Sequence, residues 1–507
     1  MTTPPAPAPP TTDLPIPEDD APVVRSQPAA GMGTVPQVAG PDGGGGGGFT
    51  RRRARGGPLA GLSLPRRVFV LALWPFLEQM LNFLVGTVDF MLAGRLGDPV
   101  AATNALGVAG YVGWLMGILH AAVGVGATAI IARAIGGRHR GKAQAALGQA
   151  MLLALASGLA VGVTIFALAP AIGRTAGLAD DDLILATLYL RSISLTAPLA
   201  SLLFVGGAAM RGAGDTRTPF LIMLAVNIVN VGASVLLVYA PLPLGGYGFG
   251  GIAVGTAIAW AVGGLLTVGT LLGGRGGGGT LRLRWARMRP HGPTLKQLVR
   301  IGVPNLAESI GMWGANFIIL MMVGRLALDA AIGAQMLSIR VESISLLTGM
   351  AMGVAAATLT GQYLGAGDVR GAKHAVYLCW AWCAAIMTAC GLVFIFMPEM
   401  LVRMLSDAPE HLEIAPPLLR ISGTIQIFFG TSMVLSHAMR GAGETRGMMI
   451  VSYVCTYAVR LPAIWLVAFY TDLGLVGIWL VSAAELVLRS GVLAWCFFRG
   501  RWARLEL

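Results

Sequence analysis

Ionisable side chains within long apolar stretches are the residues best suited to chemistry in this 507-residue chain. Glu78, Asn82 and Asp89 recur at helical spacing, which places all three on one helical face. An ionised group inside a membrane span costs roughly 2.5 to 3.5 kcal/mol, so each needs a partner or a function. We interpret Glu78 and Asp89 as successive carboxylates of a cation pathway. The alternative is that each only hydrogen-bonds a neighbouring helix.

The second half of the chain carries two comparable acids. Glu308 follows a proline at the start of an apolar span, as Glu78 does, and Glu342 shares a helical face with Gln335. Asp89 has no acidic counterpart in the second half, because an isoleucine occupies the aligned position. We therefore predict cation coupling at Glu308 and Glu342, with charge chemistry that differs between the halves.

Uncharged polar side chains within the apolar spans complete the predicted substrate cavity. They are Gln79, Asn82, Asn227, Asn230, Ser234, Gln335 and Gln426. Asparagines in apolar helices also join helices by hydrogen bonds, so both interpretations of Asn227 and Asn230 stay open. We predict no metal site, apart from a sodium ion at Asp89 and Asn230 as an alternative to coupling by protons.

A heptapeptide repeat shows that the chain is duplicated. RGAGDTR at Arg211–Arg217 returns as RGAGETR at Arg440–Arg446, and other landmarks recur at a similar offset. The glycines predict structural turns where helices approach closely, formed by Arg211, Gly212, Gly214, Arg440, Gly441 and Gly443. The turns lack the lysine of a phosphate-binding loop, so we expect no ATP and no other cofactor.

Apolar runs of about 20 residues number roughly twelve, six in each half. Hydrophobic residues make up 55% of the chain and charged residues 12%, which excludes a water-soluble protein. An even number of spans in each half gives both copies the same orientation. The predicted fold is an all-α integral membrane protein with twelve transmembrane helices in two parallel six-helix lobes.

Charge placement predicts the topology. Arginine and lysine concentrate at one set of span ends, for example at Arg138, Arg140, Lys142, Arg370 and Lys373. Such residues remain in the cytoplasm, so we expect a multi-pass protein of the bacterial-type cell membrane with both termini cytoplasmic. This topology and attraction to anionic lipid account for the net charge of +12, so a nucleic-acid partner is not expected.

Composition also divides the chain into segments. Residues 1–58 are rich in Pro, Ala and Gly and are predicted to be a disordered cytoplasmic tail. Residues 59–272 form the predicted N-terminal lobe, and residues 273–296 a cytoplasmic linker expected to leave each lobe free to move. Residues 297–507 form the predicted C-terminal lobe with a short cytoplasmic tail.

The region from about Val68 to Phe498 resembles the multidrug and toxic compound extrusion (MATE) family. The resemblance rests on TVDFMLAGRLG after Pro75, the two RGAG(D/E)TR turns, the span 5 asparagines, GQYLGAGD from Gly361, and Arg460-Leu461-Pro462. It implies a V-shaped pair of lobes that exports organic cations in exchange for protons or sodium. It also implies that Asp89 is the coupling aspartate, with Asn230 close to it.

Several positions depart from the patterns of this family. Ser234 replaces a second aspartate of one branch, and Trp313 and Phe429 replace acids of another. The loss of carboxylates favours protons over sodium as the coupling ion.

From these observations we predict a monomeric secondary antiporter for lipophilic organic cations, embedded in a lipid bilayer. No nucleophile and base at suitable spacing indicate an enzyme. The alternatives are a flippase or exporter of lipid-linked or anionic substrates on the same fold, and a membrane scaffold that does not transport.

Overall fold

The protein forms long helices that confirm the twelve predicted spans. A computed structural model describes residues 61–96, 98–241, 246–326, 331–406 and 408–505. Within them, twelve helices are long and apolar enough to cross a membrane. They are α1 Leu64–Ala93, α2 Pro99–Gly136, α3 Arg140–Thr175, α4 Asp180–Gly212, α5 Arg217–Tyr239, α6 Phe249–Leu272, α7 Gly292–Val323, α8 Ala331–Gly365, α9 Val369–Phe396, α10 Pro409–Gly441, α11 Arg446–Tyr470 and α12 Gly474–Arg499. The predicted tail lies outside the described residues.

Helix α11 contains a π-helical segment at Val454–Arg460. Pro462 follows it and has no backbone N–H to donate, so regular α-helical bonding cannot pass through this point undisturbed. The wider turn ends at Arg460.

Each lobe has its own apolar core. In the first lobe (α1–α6), residues such as Met151, Leu190 and Ile252 are completely or almost completely buried. In the second lobe (α7–α12), Val434 and Ile464 are likewise buried. Burial of this apolar surface between helices gives each half a packed interior of its own.

The lobes pack closely where α2 and α8 end. A Cβ atom at Gly136 would overlap the carbonyl of Gln362, and one at Gly365 would overlap the carbonyl of Arg133. Only glycine permits backbones to come this near. Toward the start of α1, Leu71 packs with second-lobe residues, so α1 also joins the two lobes.

The linker is attached to the first lobe, which corrects the expectation that it leaves both lobes free. The Gln149 side chain on α3 donates to the carbonyls of Arg287 and Arg289 and accepts from the backbone N–H of His291. Leu281 is also buried in the first-lobe core. The glycines and arginines of the linker predicted a segment that leaves each lobe free to move, and no feature of the sequence indicated these hydrogen bonds to Gln149.

Candidate functional site

In the first lobe, Asp89 lies near the end of α1 with only 7% of its surface exposed. Among the described residues it forms no salt bridge, and its Oδ1 atom has no hydrogen-bond partner. Its carboxylate acts electrostatically on the hydroxyl of Tyr189 in α4. Asp89 is therefore a buried acid whose charge is not neutralised by a neighbouring arginine or lysine of the described chain.

Tyr189, the residue influenced by Asp89, is joined to polar residues of α5 and α6. The Tyr189 hydroxyl donates to Oγ1 of Thr256 at 3.5 Å, and the Asn230 amide donates to the same atom at 2.9 Å. Thus Tyr189, Thr256 and Asn230 form one chain of hydrogen bonds across three helices, and Asp89 influences it electrostatically through Tyr189. Sequence reasoning identified Asp89 and Asn230 but missed Tyr189 and Thr256, because neither carries a charge and neither belongs to a repeated motif.

Oxygen atoms dominate the unsatisfied polar groups of this region. Oδ1 of Asn230 and Oγ of Ser234 are buried without a partner, as is Oδ1 of Asp89. Ser234 lies one turn after Asn230, and a Cβ atom at Gly255 would collide with it, so glycine lets α6 approach α5 here. Unpartnered oxygens suit a proton or a hard cation, and only one of these three belongs to an acid.

Glu78 occupies a different environment, because it pairs with an arginine of its own lobe. Arg211 Nη1 donates to both carboxylate oxygens of Glu78, at 3.1 and 3.2 Å. In the second lobe, Arg440 Nη2 donates to Glu308 at 2.7 Å, and the hydroxyl of Ser452 donates to the same oxygen at 2.7 Å. Two of the three predicted coupling glutamates, Glu78 and Glu308, are thus held by the arginine that opens a repeated turn.

The repeated turns have the predicted backbone geometry. Gly214 and Gly443 both adopt φ +91, a left-handed conformation that favours glycine. A Cβ atom at Gly212 would meet the backbone of Thr128, and one at Gly441 would meet the backbone of Ala357. The turns therefore let α4 and α10 approach neighbouring helices while placing Arg211 and Arg440 at the glutamates.

The fifth residue of the heptapeptide is Asp215 in the first repeat and Glu444 in the second, and both acids form the same hydrogen bond to the backbone. Asp215 Oδ1 accepts from the backbone N–H of Thr218 at 3.0 Å, and Glu444 Oε1 accepts from that of Gly447 at 2.8 Å. Each acid satisfies a free N–H group at the start of the following helix, α5 or α11. Helix capping therefore explains why both halves carry an acid at this position.

Glu342 on α8 borders a second-lobe cavity of 510 Å³. Its carboxylate accepts a hydrogen bond from Ser422 on α10 at 2.6 Å, and Gln426 donates to Ser422 at 3.2 Å. Gln335 also lines the cavity, with its Oε1 buried and unpartnered. The structure therefore brings together three predicted second-lobe residues around Ser422 and this cavity.

The same cavity contains charged residues that sequence reasoning did not assign to a site. Arg460, Glu485 and Arg489 line it, and Arg489 forms a salt bridge with Glu485 at 2.6 Å. Arg489 also donates to Thr456, and Arg460 donates to Ser482. The signal that could have identified them in the sequence is the presence of ionisable residues within the apolar spans of α11 and α12. With Glu342, the charges of this lining balance, two acids against two arginines.

The remaining predicted cavity residues are less closely connected to these sites. Asn82 is exposed and donates weakly to Gln79 at 3.5 Å, while Gln79 contacts Met350 of the second lobe. Asn227 is buried with an unpartnered Nδ2 atom. Trp313 and Phe429, which stand where family branches have acids, both line the second-lobe cavity.

Comparison with known proteins defines the family. The sequence profile of the MatE family matches residues 76–236 and 304–466, one segment in each repeat. The chain belongs to the MatE family of multidrug and toxic compound extrusion (MATE) transporters. This membership confirms the resemblance noted in the sequence and assigns the chain to membrane transporters, which are not enzymes.

Individual relatives agree with this assignment. A probable multidrug resistance protein NorM from Thermotoga maritima is 27% identical, with 87% of this chain and 94% of the relative covered. Multidrug resistance protein NorM from Burkholderia vietnamiensis is 29% identical, and the matched region covers 59% of this chain and 66% of the relative. A crystal structure of MATE in the straight conformation has a TM-score of 0.79 at 20% identity, covering 88% of this chain and 97% of that one. The last similarity establishes the fold, confirming two lobes of six membrane helices.

Proposed function

We propose that this MATE protein is a secondary active antiporter that exports lipophilic organic cations in exchange for protons. The observation that carries the proposal is Asp89, a buried carboxylate without a salt bridge among the described residues. A cation and a proton can each neutralise such a group, but they cannot do so together. Competition for one carboxylate therefore couples the two movements.

The proposed cycle uses the polar residues around Asp89. Ionised Asp89 attracts a cationic substrate from the cytoplasmic side, and protonation from the outside removes that attraction after the lobes rearrange. Tyr189, Thr256 and Asn230 orient the site through their hydrogen bonds. The paired Glu78 and Glu308 stabilise the lobes in this arrangement. Glu342 is one of two acids, with Glu485, that line the second-lobe cavity.

The proposal includes the topology and assembly predicted from sequence. Both termini face the cytoplasm, and one chain is sufficient for transport. The names of the NorM relatives support multidrug resistance as the physiological role. Sodium is the alternative coupling ion, supported by the unpartnered oxygens of Asp89, Asn230 and Ser234.

An efflux assay tests the function and separates the two ions. The full chain is reconstituted in liposomes with a fluorescent lipophilic cation, and a proton gradient or a sodium gradient is imposed separately. We expect cation movement with the proton gradient and none with sodium alone. Cation movement driven by a sodium gradient alone, at constant pH, would show that sodium and not the proton is the coupling ion. No cation movement with either gradient would contradict the antiport proposal.

A second candidate function is export of an anionic substrate. Arg460 and Arg489 in the second-lobe cavity favour it, because a guanidinium pairs well with a carboxylate or phosphate. The same liposomes, loaded with a fluorescent organic anion, distinguish the two candidates. Movement of the anion without movement of the cation would favour this second function.

A further inference from the structure

A separate cavity of 280 Å³ lies between the lobes and contains none of the proposed coupling acids. It is bordered by α2 and α4 of the first lobe and by α8 and α10 of the second. Arg211 and Arg440, the repeat-related arginines, both reach it. The cavity therefore lies where equivalent parts of the two repeats face each other, and we call it the axial cavity.

The polar lining of the axial cavity is basic. Its charged or titratable members among the described residues are Arg211, Arg440, His120 and His437. Each guanidinium also pairs with a glutamate of its own lobe, Glu78 or Glu308. The glutamates are not part of the lining, so the groups presented to a ligand are guanidinium and imidazole groups.

Two of these groups have hydrogen-bonding atoms without a partner. His120 is 4% exposed, its Nε2 lies 2.8 Å from Oγ of Ser201, and its Nδ1 is buried and unpartnered. Nε of Arg440 is likewise buried without a partner. Buried unpaired polar atoms are uncommon because each loses its hydrogen bonds to water, so their occurrence together at one cavity indicates a ligand-binding site.

The other lining residues define the shape of the ligand. Phe204 stacks on His120 with ring centroids 5.4 Å apart, and Met350 and Val354 contribute apolar surface from the second lobe. An aromatic body would be buried against these side chains, while an anionic head would accept hydrogen bonds from the basic groups. We infer that the axial cavity binds a small aromatic carboxylate.

A neutral imidazole can donate to the anion as well. His120 Nδ1 is buried and unpartnered, while its Nε2 lies 2.8 Å from Oγ of Ser201. If Nε2 accepts from the Ser201 hydroxyl, Nδ1 carries the hydrogen and can donate to a carboxylate. The arginine Arg440 offers its unpartnered Nε–H in the same way.

Binding in the axial cavity has a consequence for the transport cycle. A ligand that contacts both lobes stabilises the arrangement in which the cavity exists and opposes their separation. The carboxylate would act as an inhibitor that does not compete for Asp89. This inference does not depend on the proposed antiport, since binding is measurable without a gradient or transport.

The test compares three probes of similar shape on the purified full chain. Benzoate, benzamide and benzylamine are titrated by calorimetry at about pH 7. We expect benzoate to bind at least about tenfold more tightly than benzamide, with benzylamine weakest. Equal affinities of benzoate and benzamide would overturn the inference.

Variants place the binding in the axial cavity. Val354→Phe fills the cavity, and Val163→Phe makes the same change at a side chain that is 62% exposed on α3. We expect only Val354→Phe to abolish benzoate binding. Ala208 also lines the cavity, so Ala208→Leu serves as the cavity-filling variant if Val354→Phe does not fold. Undiminished benzoate binding in a folded cavity-filling variant would place the anion elsewhere and overturn the inference.

Discussion

The two lobes share one buried ion pair and differ in the rest of their charge chemistry. Glu78 pairs with Arg211 in the first lobe, and Glu308 pairs with Arg440 in the second, at 3.1 and 2.7 Å. Beyond this pair, the polar cluster of the first lobe is built around Asp89, an acid without a salt bridge in the described chain. The second lobe instead has a charge-balanced cavity. The duplicated architecture thus retained the pair and assigned different chemistry to each half.

The retained pair belongs to the framework of each lobe. It joins the first helix of the lobe to the last turn of its fourth helix, so it connects segments that are far apart in sequence. Removing one partner of a buried pair leaves the other charge uncompensated, which costs about 3 to 5 kcal/mol. Asp89 and Glu342, the acids that differ between the repeats, form no such salt bridge among the described residues, which makes them better candidates for coupling.

The largest effect is expected for Asp89→Asn, because asparagine keeps the size and hydrogen bonding but cannot change charge. We expect gradient-driven efflux to fall below detection while membrane abundance stays unchanged. Glu399→Gln is the matched control, since this acid forms an exposed salt bridge with Arg420. Efflux by Asp89→Asn equal to that of the control would show that coupling does not pass through Asp89.

A large effect is also expected for Glu308→Gln, now for a structural reason. Arg440 would remain buried without its carboxylate, so both efflux and the thermal unfolding temperature should fall. The double change Glu308→Gln with Arg440→Gln should recover part of the stability, because no charge is left unpaired. If Glu308→Gln lost efflux without losing stability, Glu308 would be a coupling residue as the sequence predicted.

An intermediate effect is expected for Glu342→Gln. Ser422 can still donate to the amide oxygen, so we expect the protein to fold. Loss of this acid leaves the second-lobe cavity with an excess of positive charge, which should weaken efflux of cations by about tenfold or less. The measurement is concentration-dependent dye efflux, compared with Glu399→Gln. Unchanged affinity for the dye would exclude this cavity from cation binding.

The smallest effect is expected from deletion of residues 1–50. Their composition cannot support a packed core, so transport should remain unchanged at equal membrane abundance. Immunoblotting for abundance and dye efflux for activity provide the check. Reduced efflux per molecule would assign the segment a regulatory or docking role.

The sequence by itself determined the number of spans, the duplication and the turns. Long apolar runs allow little besides membrane helices, and repeated glycines such as Gly214 and Gly443 encode a local backbone conformation. It also identified Asp89, because an acid among apolar residues is costly wherever its helix lies. These properties depend on neighbours along the chain and need no knowledge of tertiary contacts.

Only the tertiary structure decided which charges meet. The sequence placed Glu78 and Asp89 on one helical face, but the structure paired Glu78 with Arg211 and brought Tyr189 to Asp89. Arg460 and Glu485 became part of one cavity for the same reason. An acid's charge is matched by residues that packing brings near it across helices, and those residues lie far away in sequence. Composition and spacing therefore identify an ionisable group, and the packed lobes determine whether it is neutralised.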